Sequence, residues 1–392
     1  MTPAARLAAA IAVLDTISTG KRAEAALSGW ARAARYAGSG DRAAVRDHVF
    51  GALRRRRSLS ALGGAATGRG LMLGALRAAG TDPAVLFTGD RHAPAPLAPA
   101  EAAHFACPVS MTEAQALDCP DWLEPALRAS LGEQFAGVMR ALQGRAPVFL
   151  RANRARVGPE AALAALAAEG IAARIHPLAP TALEVAGPVR GLAATQAWQC
   201  GLVELQDAAS QAVCDALPLA RGARVLDYCA GGGGKALALA ARLAALGGGT
   251  VFAHDAAPRR MADLPARAAR AGTPVPQLAD AAAAAPFDLV LLDVPCSGSG
   301  SWRRDPEGKW RLTPERLAGL RHTQSAILDV AAPLVAAEGT LAYATCSLLR
   351  EENAAQVSAF LDREPGWRQV AERRWTPCDG ADGFFLALLT RA

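Results

Sequence analysis

Two cysteines fifty positions apart, Cys296 and Cys346, carry the residue types most able to do chemistry in this chain. Each follows a strand-like apolar run. DLVLLD precedes Val294-Pro295-Cys296, and TLAYAT precedes Cys346. Upstream, RVLDY leads into Cys229, Ala230, Gly231, Gly232, Gly233, Gly234 and Lys235 and then a helical alanine–leucine pattern. A glycine turn between strand and helix lets the backbone approach a nucleotide-like ligand. Beside two thiols, such a turn points to covalent catalysis with a bound group donor.

The turn alone specifies little. A phosphate-binding loop of the Walker type is excluded, because Ala236 after Lys235 offers no hydroxyl for magnesium. The acids strengthen the case. Asp255 closes TVFAHD twenty residues beyond Lys235, where a carboxylate can bond ribose hydroxyls; Asp280 follows the next extended stretch, and Asp293 ends DLVLLD. Taken singly, each is better read as a helix cap or a surface-loop acid. Their shared register at strand ends suits an adenosine cofactor held without pyrophosphate contacts.

These elements sit in a chain of 392 residues with a net charge of +6, long enough for two or three domains. The charge permits an anionic partner without requiring one. Only Lys21, Lys235 and Lys309 are lysine, against an arginine excess of the kind a high-GC genome produces. The eight cysteines (107, 119, 200, 214, 229, 296, 346, 378) show no C-x-x-C spacing and the six histidines do not cluster. That argues against a metal site and a secreted disulfide framework. No run has the length of a transmembrane helix, and Leu7 to Leu14 fits an amphipathic helix better than a signal peptide. The expectation is a cytoplasmic protein with reduced thiols, no metal and no membrane partner.

Spacing of apolar residues predicts helices over Ala4–Ile17, Arg22–Tyr36 and Asp41–Leu59, the last carrying Arg54 to Arg57 as a solvated end or a phosphate-binding face. Residues 88–100 read as a connector, and a helix returns after Pro120, with Asp121 as its N-cap, and runs to about Leu142. Then APVFLRANRAR reads as a strand bearing Arg151, Arg154 and Arg156, GPEAALAALAAEG as a helix and ARIHPLAPTALEVAG as further strand. From 201 onward RVLDY, TVFAHD, DLVLLD, TLAYAT and GFFLALL alternate with helices, which predicts an α/β, mainly parallel, doubly wound sheet. The expected division is a helical domain at 1–100, a helical connector at 101–145, a small α/β module at 146–200 and a Rossmann-like catalytic domain at 201–392.

VLDYCAGGGGK, LLDVPCSGSGSWRRDPEGKW, YATCSLLREEN and DGFFLALL together resemble the successive motifs of RNA cytosine-5 methyltransferases, most closely the bacterial RsmB (Fmu/Sun) type. PDWLEPAL and VFLRANRAR resemble that family's preceding module, and DRAAVRDHVFGALRRRRSL its NusB-like helical domain. The resemblance covers most of the chain and is weakest between about 60 and 115. It departs where the family usually has Ala-Pro-Gly-Gly-Lys-Thr: glycine in place of the proline loosens the turn, and Ala236 removes a hydroxyl. Arg350 stands where a proline is common. The resemblance implies S-adenosylmethionine held by residues 229–235, Asp255, Asp280 and Asp293. It also implies attack by Cys346 on carbon-6 of cytosine, adduct release through Cys296, and Asp293 and Lys235 at the reacting base. RNA is the implied partner, met by Arg151, Asn153, Arg303, Arg304 and Lys309; the protein is expected to act as a monomer. Residue chemistry alone leaves the thiol roles open, because DNA cytosine methyltransferases attack with the Pro-Cys thiol. The substrate also stays open between 16S ribosomal RNA and transfer RNA, as does a non-catalytic RNA-binding assembly factor.

Overall fold

The computed structural model describes every residue but Pro188 and Arg190, two positions of the expected 146–200 module that lie outside the described residues. The chain divides into two units, Met1–Arg145 with Trp302–Arg311, and Ala146–Ser301 with Leu312–Ala392. The stretch expected as a connector falls in the first unit, and the small module and the large sheet fall together in the second.

The first unit is helical. Helices Pro3–Ser18, Ala23–Ala33, Ser39–Arg54, Arg56–Gly63 and Gly68–Ala78 enclose a core of Leu7, Val13, Leu27, Val49, Leu59, Met72 and Phe87. The helix expected to run unbroken through the arginine run stops at Arg55, whose backbone leaves helical geometry (φ −116°, ψ 31°). The next two helices pack backbone to backbone: a methyl group on Gly74 would collide with the Leu59 carbonyl. The helix expected after Pro120 is also interrupted. Gly132, at φ +54°, divides Glu124–Leu131 from Phe135–Gln143, and Asp121 pairs with Arg57 instead of capping.

Residues 302–311 complete this unit from far along the sequence. The last carbonyls of a helix have no partner within it. Trp310 Nε1 donates to the Leu53 carbonyl at 2.6 Å, and Lys309 Nζ to the Arg54 carbonyl at 3.2 Å. Arg54 Nε in turn donates to the Arg303 carbonyl at 2.7 Å. Trp302 is buried in the same unit.

The second unit holds two sheets. The smaller contains β1 (Val148–Ala152), β2 (Ala173–Ile175), β3 (Ala182–Val185) and β4 (Val203–Leu205), in the order β2-β3-β1-β4 and antiparallel throughout. The stretch ARIHPLAPTALEVAG therefore makes two strands, and the last strand comes from the lead-in to the large sheet. That large sheet contains β5 (Arg224–Asp227), β6 (Thr250–Ala253), β7 (Phe287–Asp293), β8 (Val335–Thr345), β9 (Trp367–Trp375) and β10 (Phe384–Arg391), in the order β6-β5-β7-β8-β10-β9. The first four are parallel, and β10 pairs antiparallel with both β8 and β9. Strand side chains alternate between faces. One face packs Val225, Leu289, Leu291 and Ala342 with the helix Gly234–Ala245, and the other packs Leu226, Val290, Leu292 and Tyr343 with Pro314–Ala331 and Ala354–Arg363. The result is a Rossmann-like α/β core. Among the described residues, no helix is long and apolar enough to cross a membrane and no cluster of three or more metal-ligating side chains occurs.

Candidate active site

In an open parallel sheet, ligands gather beyond the carboxyl ends of the strands. There β5, β7 and β8 border a cavity of about 350 Å³ lined by the 229–235 turn, Asp227, Asp293, Cys296, Cys346, Gln206, Ser210 and Arg260, among others. The turn is held from below. Ala230 N donates to the His254 carbonyl at 2.9 Å, and Gly231 N to Asp255 Oδ2 at 2.9 Å. Gly231 (φ +51°) and Gly233 (φ +79°) take left-handed conformations that only glycine adopts freely. At Gly233 a side chain would also strike Leu264.

Lys235 opens the helix after the turn and is buried; its Nζ lies 2.7 Å from Asp293 Oδ2 and 4.8 Å from the Phe384 ring centroid. Burial pulls its pKa down, but the Asp293 carboxylate more than offsets this and leaves the ammonium above the ordinary lysine range. Asp227, at the end of β5, is 1% exposed, and neither carboxylate oxygen has a hydrogen-bond partner of ordinary geometry. Burial, then the neighbouring Asp293 charge, pushes it up to about 7, against the pull of Lys235 and the Ala236 amide.

The two thiols meet. Parallel pairing of β7 with β8 sets Asp293 opposite Ala344, so the loops beyond these strand ends start level. Cys296 Sγ lies 3.4 Å from Cys346 Sγ. The thiol–thiol hydrogen bond, followed by burial, raises Cys296 well above the ordinary thiol range. The two sulfurs thus share one hydrogen bond that either can donate.

The turn, Lys235, Asp293, Cys296 and Cys346 thus border one cavity. Asp255 does not line it: its carboxylate accepts from Gly231 N, Ala257 N (2.9 Å) and Arg260 Nη1 (3.0 Å). Asp280 is exposed and caps Ala282 N at 2.9 Å. The expected RNA contacts change more. Arg151 is buried, donating to the Gln206 side chain and, at 2.9 Å, to the Gly234 carbonyl, so it braces the helix start of the cofactor turn. Asn153 is buried too, with Nδ2 at 2.8 Å from both the Gly201 and Ala271 carbonyls. Lys309 is 2% exposed and burial pushes it down to about 8; Arg303 is buried and Arg304 alone of the three is exposed. Tertiary packing has taken Arg151, Asn153, Arg303 and Lys309 off the surface that RNA would touch. Arg54, Arg56 and Arg57 are likewise engaged within the helical unit, Arg56 over the Trp310 ring and Arg57 with Asp121. Sequence reasoning assigned no role to Asp227, Gln206, Ser210 or Arg260. Asp227 shares the strand-end register of Asp293, a signal that was present in the sequence.

A Rossmann-like methyltransferase core with paired thiols beyond adjacent parallel strands is the class this fold and site define. The family model of the 16S rRNA methyltransferase RsmB/F matches residues 215–390, and that of the RsmF/B-like ferredoxin-like domain matches residues 119–190. Ribosomal RNA small subunit methyltransferase B of Xanthomonas campestris is 37% identical over 70% of this chain and 66% of its own length. Its counterpart in Citrobacter koseri is 33% identical over 69% of this chain and 66% of its own length. The aligned part of the chain thus spans just under two thirds of these curated relatives. The solved structure of PH0851 has the same fold, with a TM-score of 0.77 at 23% identity, covering 100% of this chain and 99% of that one. The chain belongs to the RsmB/F methyltransferase family, and its N-terminal helices are consistent with a NusB-like domain.

Proposed function

We propose that this protein is an S-adenosylmethionine-dependent cytosine-5 methyltransferase acting on 16S ribosomal RNA. The observation that carries the reading is the pair of thiols 3.4 Å apart on a cavity shared with the 229–235 turn and the Lys235–Asp293 pair. The cavity fits the cofactor's chemistry. It offers a glycine backbone cradle, the Asp293 carboxylate and the partnerless Asp227 carboxylate to a ligand bearing hydroxyls and an ammonium group. Residues 229–235 and Asp293 would hold it, with Asp255 fixing the turn from beneath. When bound, the cofactor supplies a methyl group on a sulfonium centre.

The chain's own residues do the rest. Carbon-5 of cytosine is a poor nucleophile until a thiolate adds at carbon-6 and makes the ring an enamine. Cys346 is assigned that attack by the family resemblance, since the sulfurs of Cys296 and Cys346 share a hydrogen bond that either can donate. Asp293, steadied by Lys235, bonds the ring nitrogen and exocyclic amine of the base. After methyl transfer, Cys296 in its thiolate form takes up the carbon-5 proton, the electron pair of that carbon–hydrogen bond re-forms the ring double bond, and the bond from carbon-6 to Cys346 breaks to release Cys346 as a thiolate. The target base must come out of its stack to reach these groups. With Arg151, Asn153 and Lys309 buried, phosphates are assigned to exposed arginines of the second unit, Arg154 and Arg259. The reading also puts the protein in the cytoplasm, where thiols stay reduced. Bisulfite sequencing of RNA from cells lacking the gene tests it. One 16S cytosine losing its methyl mark is the expected result. Loss confined to transfer RNA would move the substrate, and no loss together with no cofactor binding by calorimetry would leave a non-catalytic RNA-binding factor.

A further inference from the structure

The two cysteines stand on loops, outside the hydrogen-bonded ladder of the sheet. A separation of 3.4 Å between thiols on two loops needs something to hold the loops together. Beyond the strand ends, Val294 N still bonds the Ala344 carbonyl at 3.1 Å, and Gly300 N bonds the Cys346 carbonyl at 2.9 Å. Between these ties lies a polar cluster. Ser297 Oγ is 3.2 Å and Ser299 Oγ 3.1 Å from Ser347 Oγ, and Leu348 N donates to Ser299 Oγ at 2.7 Å.

At its centre is the carboxyl group of Glu352, 0% exposed. One oxygen, Oε1, accepts from Ser297 N at 2.8 Å, the amide next to Cys296, and from Gln324 Nε2 at 3.0 Å. The other, Oε2, accepts from the hydroxyl of Ser347, the residue next to Cys346. Gln324 Nε2 also donates to the Pro295 carbonyl at 3.0 Å, on the other side of Cys296. Tyr343 OH holds the Glu352 carbonyl at 2.6 Å. Every donor to the carboxyl group is neutral, and Glu352 does not line the cofactor cavity. A buried carboxyl group is retained only where its partners are fully arranged around it. Here they are Gln324 and the residues that follow each cysteine, Ser297 and Ser347.

We propose that Glu352 is a positioning residue: its carboxyl group clamps the Cys296 and Cys346 loops together and thereby sets the distance between the two thiols. The proposal rests on the assigned roles of the thiols only for its consequence in catalysis. The clamp itself can be read without any methylation.

The test uses the full chain equilibrated in glutathione redox buffers. Cys296 and Cys346 give up two electrons and two protons and form one S–S bond, while glutathione disulfide takes up both and becomes two glutathione thiols. Peptide mapping by mass spectrometry gives the ratio of the Cys296–Cys346 disulfide to the free pair, which reports how closely the thiols are held. Glu352→Ala is expected to lower that ratio about tenfold or more, and Glu352→Gln to stay within about threefold of wild type, because the amide still accepts from Ser297 N and can donate to Ser347 Oγ. Turnover should follow the same order with cofactor affinity by calorimetry unchanged. An alanine variant that pairs its thiols as readily as wild type overturns the proposal. If that variant does not fold, Ser347→Ala, which removes one arm, should give a smaller fall, and no fall there overturns it equally. Glutamate-dependent pairing in a wild-type protein that methylates no RNA would reject the methyltransferase reading and leave the clamp standing.

Discussion

Replacing Asp227 by asparagine should change how stability depends on pH, by an amount the structure sets. The wild-type carboxyl group is raised from the ordinary 3.8 to about 7, first by burial and then by Asp293. A group whose folded pKa lies above its unfolded value contributes stability that is complete below the unfolded value and is lost as pH rises through the folded one. For Asp227 the loss begins near pH 4 and is complete just above pH 7. The gap corresponds to about 4 kcal/mol between the two ends of that window, as an order of magnitude. At about 2–4 °C per kcal/mol for a domain of 150–250 residues, the wild type should lose roughly 10 °C that the variant does not. Asparagine brings its own buried amide, at a cost of about 1–3 kcal/mol, but that cost does not vary with pH. The measurement is therefore the difference between the two melting temperatures, followed from pH 4 to pH 8 by scanning calorimetry of the full chain. The variant should gain on the wild type across the window and run parallel to it above. Parallel curves throughout would show that Asp227 ionises in the fold at no cost, and the partnerless carboxylate would have to be satisfied by water.

Cys346→Ala should abolish methylation and form no adduct, whereas Cys296→Ala should trap a protein–RNA species on denaturing electrophoresis; adduct in the Cys346 variant would exchange the two roles. Lys235→Met should weaken cofactor binding by calorimetry, because Asp293 loses its 2.7 Å partner, and unchanged affinity would detach the pair from the site. Lys309→Met should leave the salt dependence of RNA binding untouched, and should raise the melting temperature more at pH 7 than at pH 10: the lysine, pushed down to about 8, folds at a cost while charged, and the cost fades between about 8 and 10.5. A shallower salt slope would return Lys309 to the RNA surface. Gly74→Ala should destabilise the helical unit by about 1–3 kcal/mol through its collision with the Leu59 carbonyl, and an unaltered denaturation midpoint would contradict that packing.

The parts of the site that could be read in the sequence are those attached to strand ends. Cys296, Cys346 and Asp293 follow apolar runs that form β7 and β8, and the pairing of those strands brings them together. The turn at 229–235 was legible for the same reason. What failed was the reading of charge. Arginines and lysines in Arg54–Arg57, LRANRAR and WRRDPEGKW look like surface cations, yet backbone carbonyls hold Arg54, Arg57, Arg151, Arg156 and Lys309 and the Trp310 ring lies under Arg56, through contacts between residues as far apart as Arg54 and Lys309. Strand β9 was missed because only Trp367 of WRQVAERRW is buried, so an edge strand shows no apolar alternation. The antiparallel direction of β10 has no local signature either. Asp227 ends its strand as Asp293 does, but that its carboxylate is buried and partnerless is a property of its neighbours in space.

The return of residues 302–311 to the helical unit has a consequence for synthesis. That unit's sequence is nearly all made by Arg145, but the residues that close the Leu53 and Arg54 carbonyls leave the ribosome only after β7 and the Cys296 loop. At about 5–20 residues per second, the N-terminal helices wait roughly 8–30 s with that end of the helix uncapped. Folding from the N-terminus onward therefore cannot run to completion in order: the first unit to be made is finished only once the catalytic half is well under way.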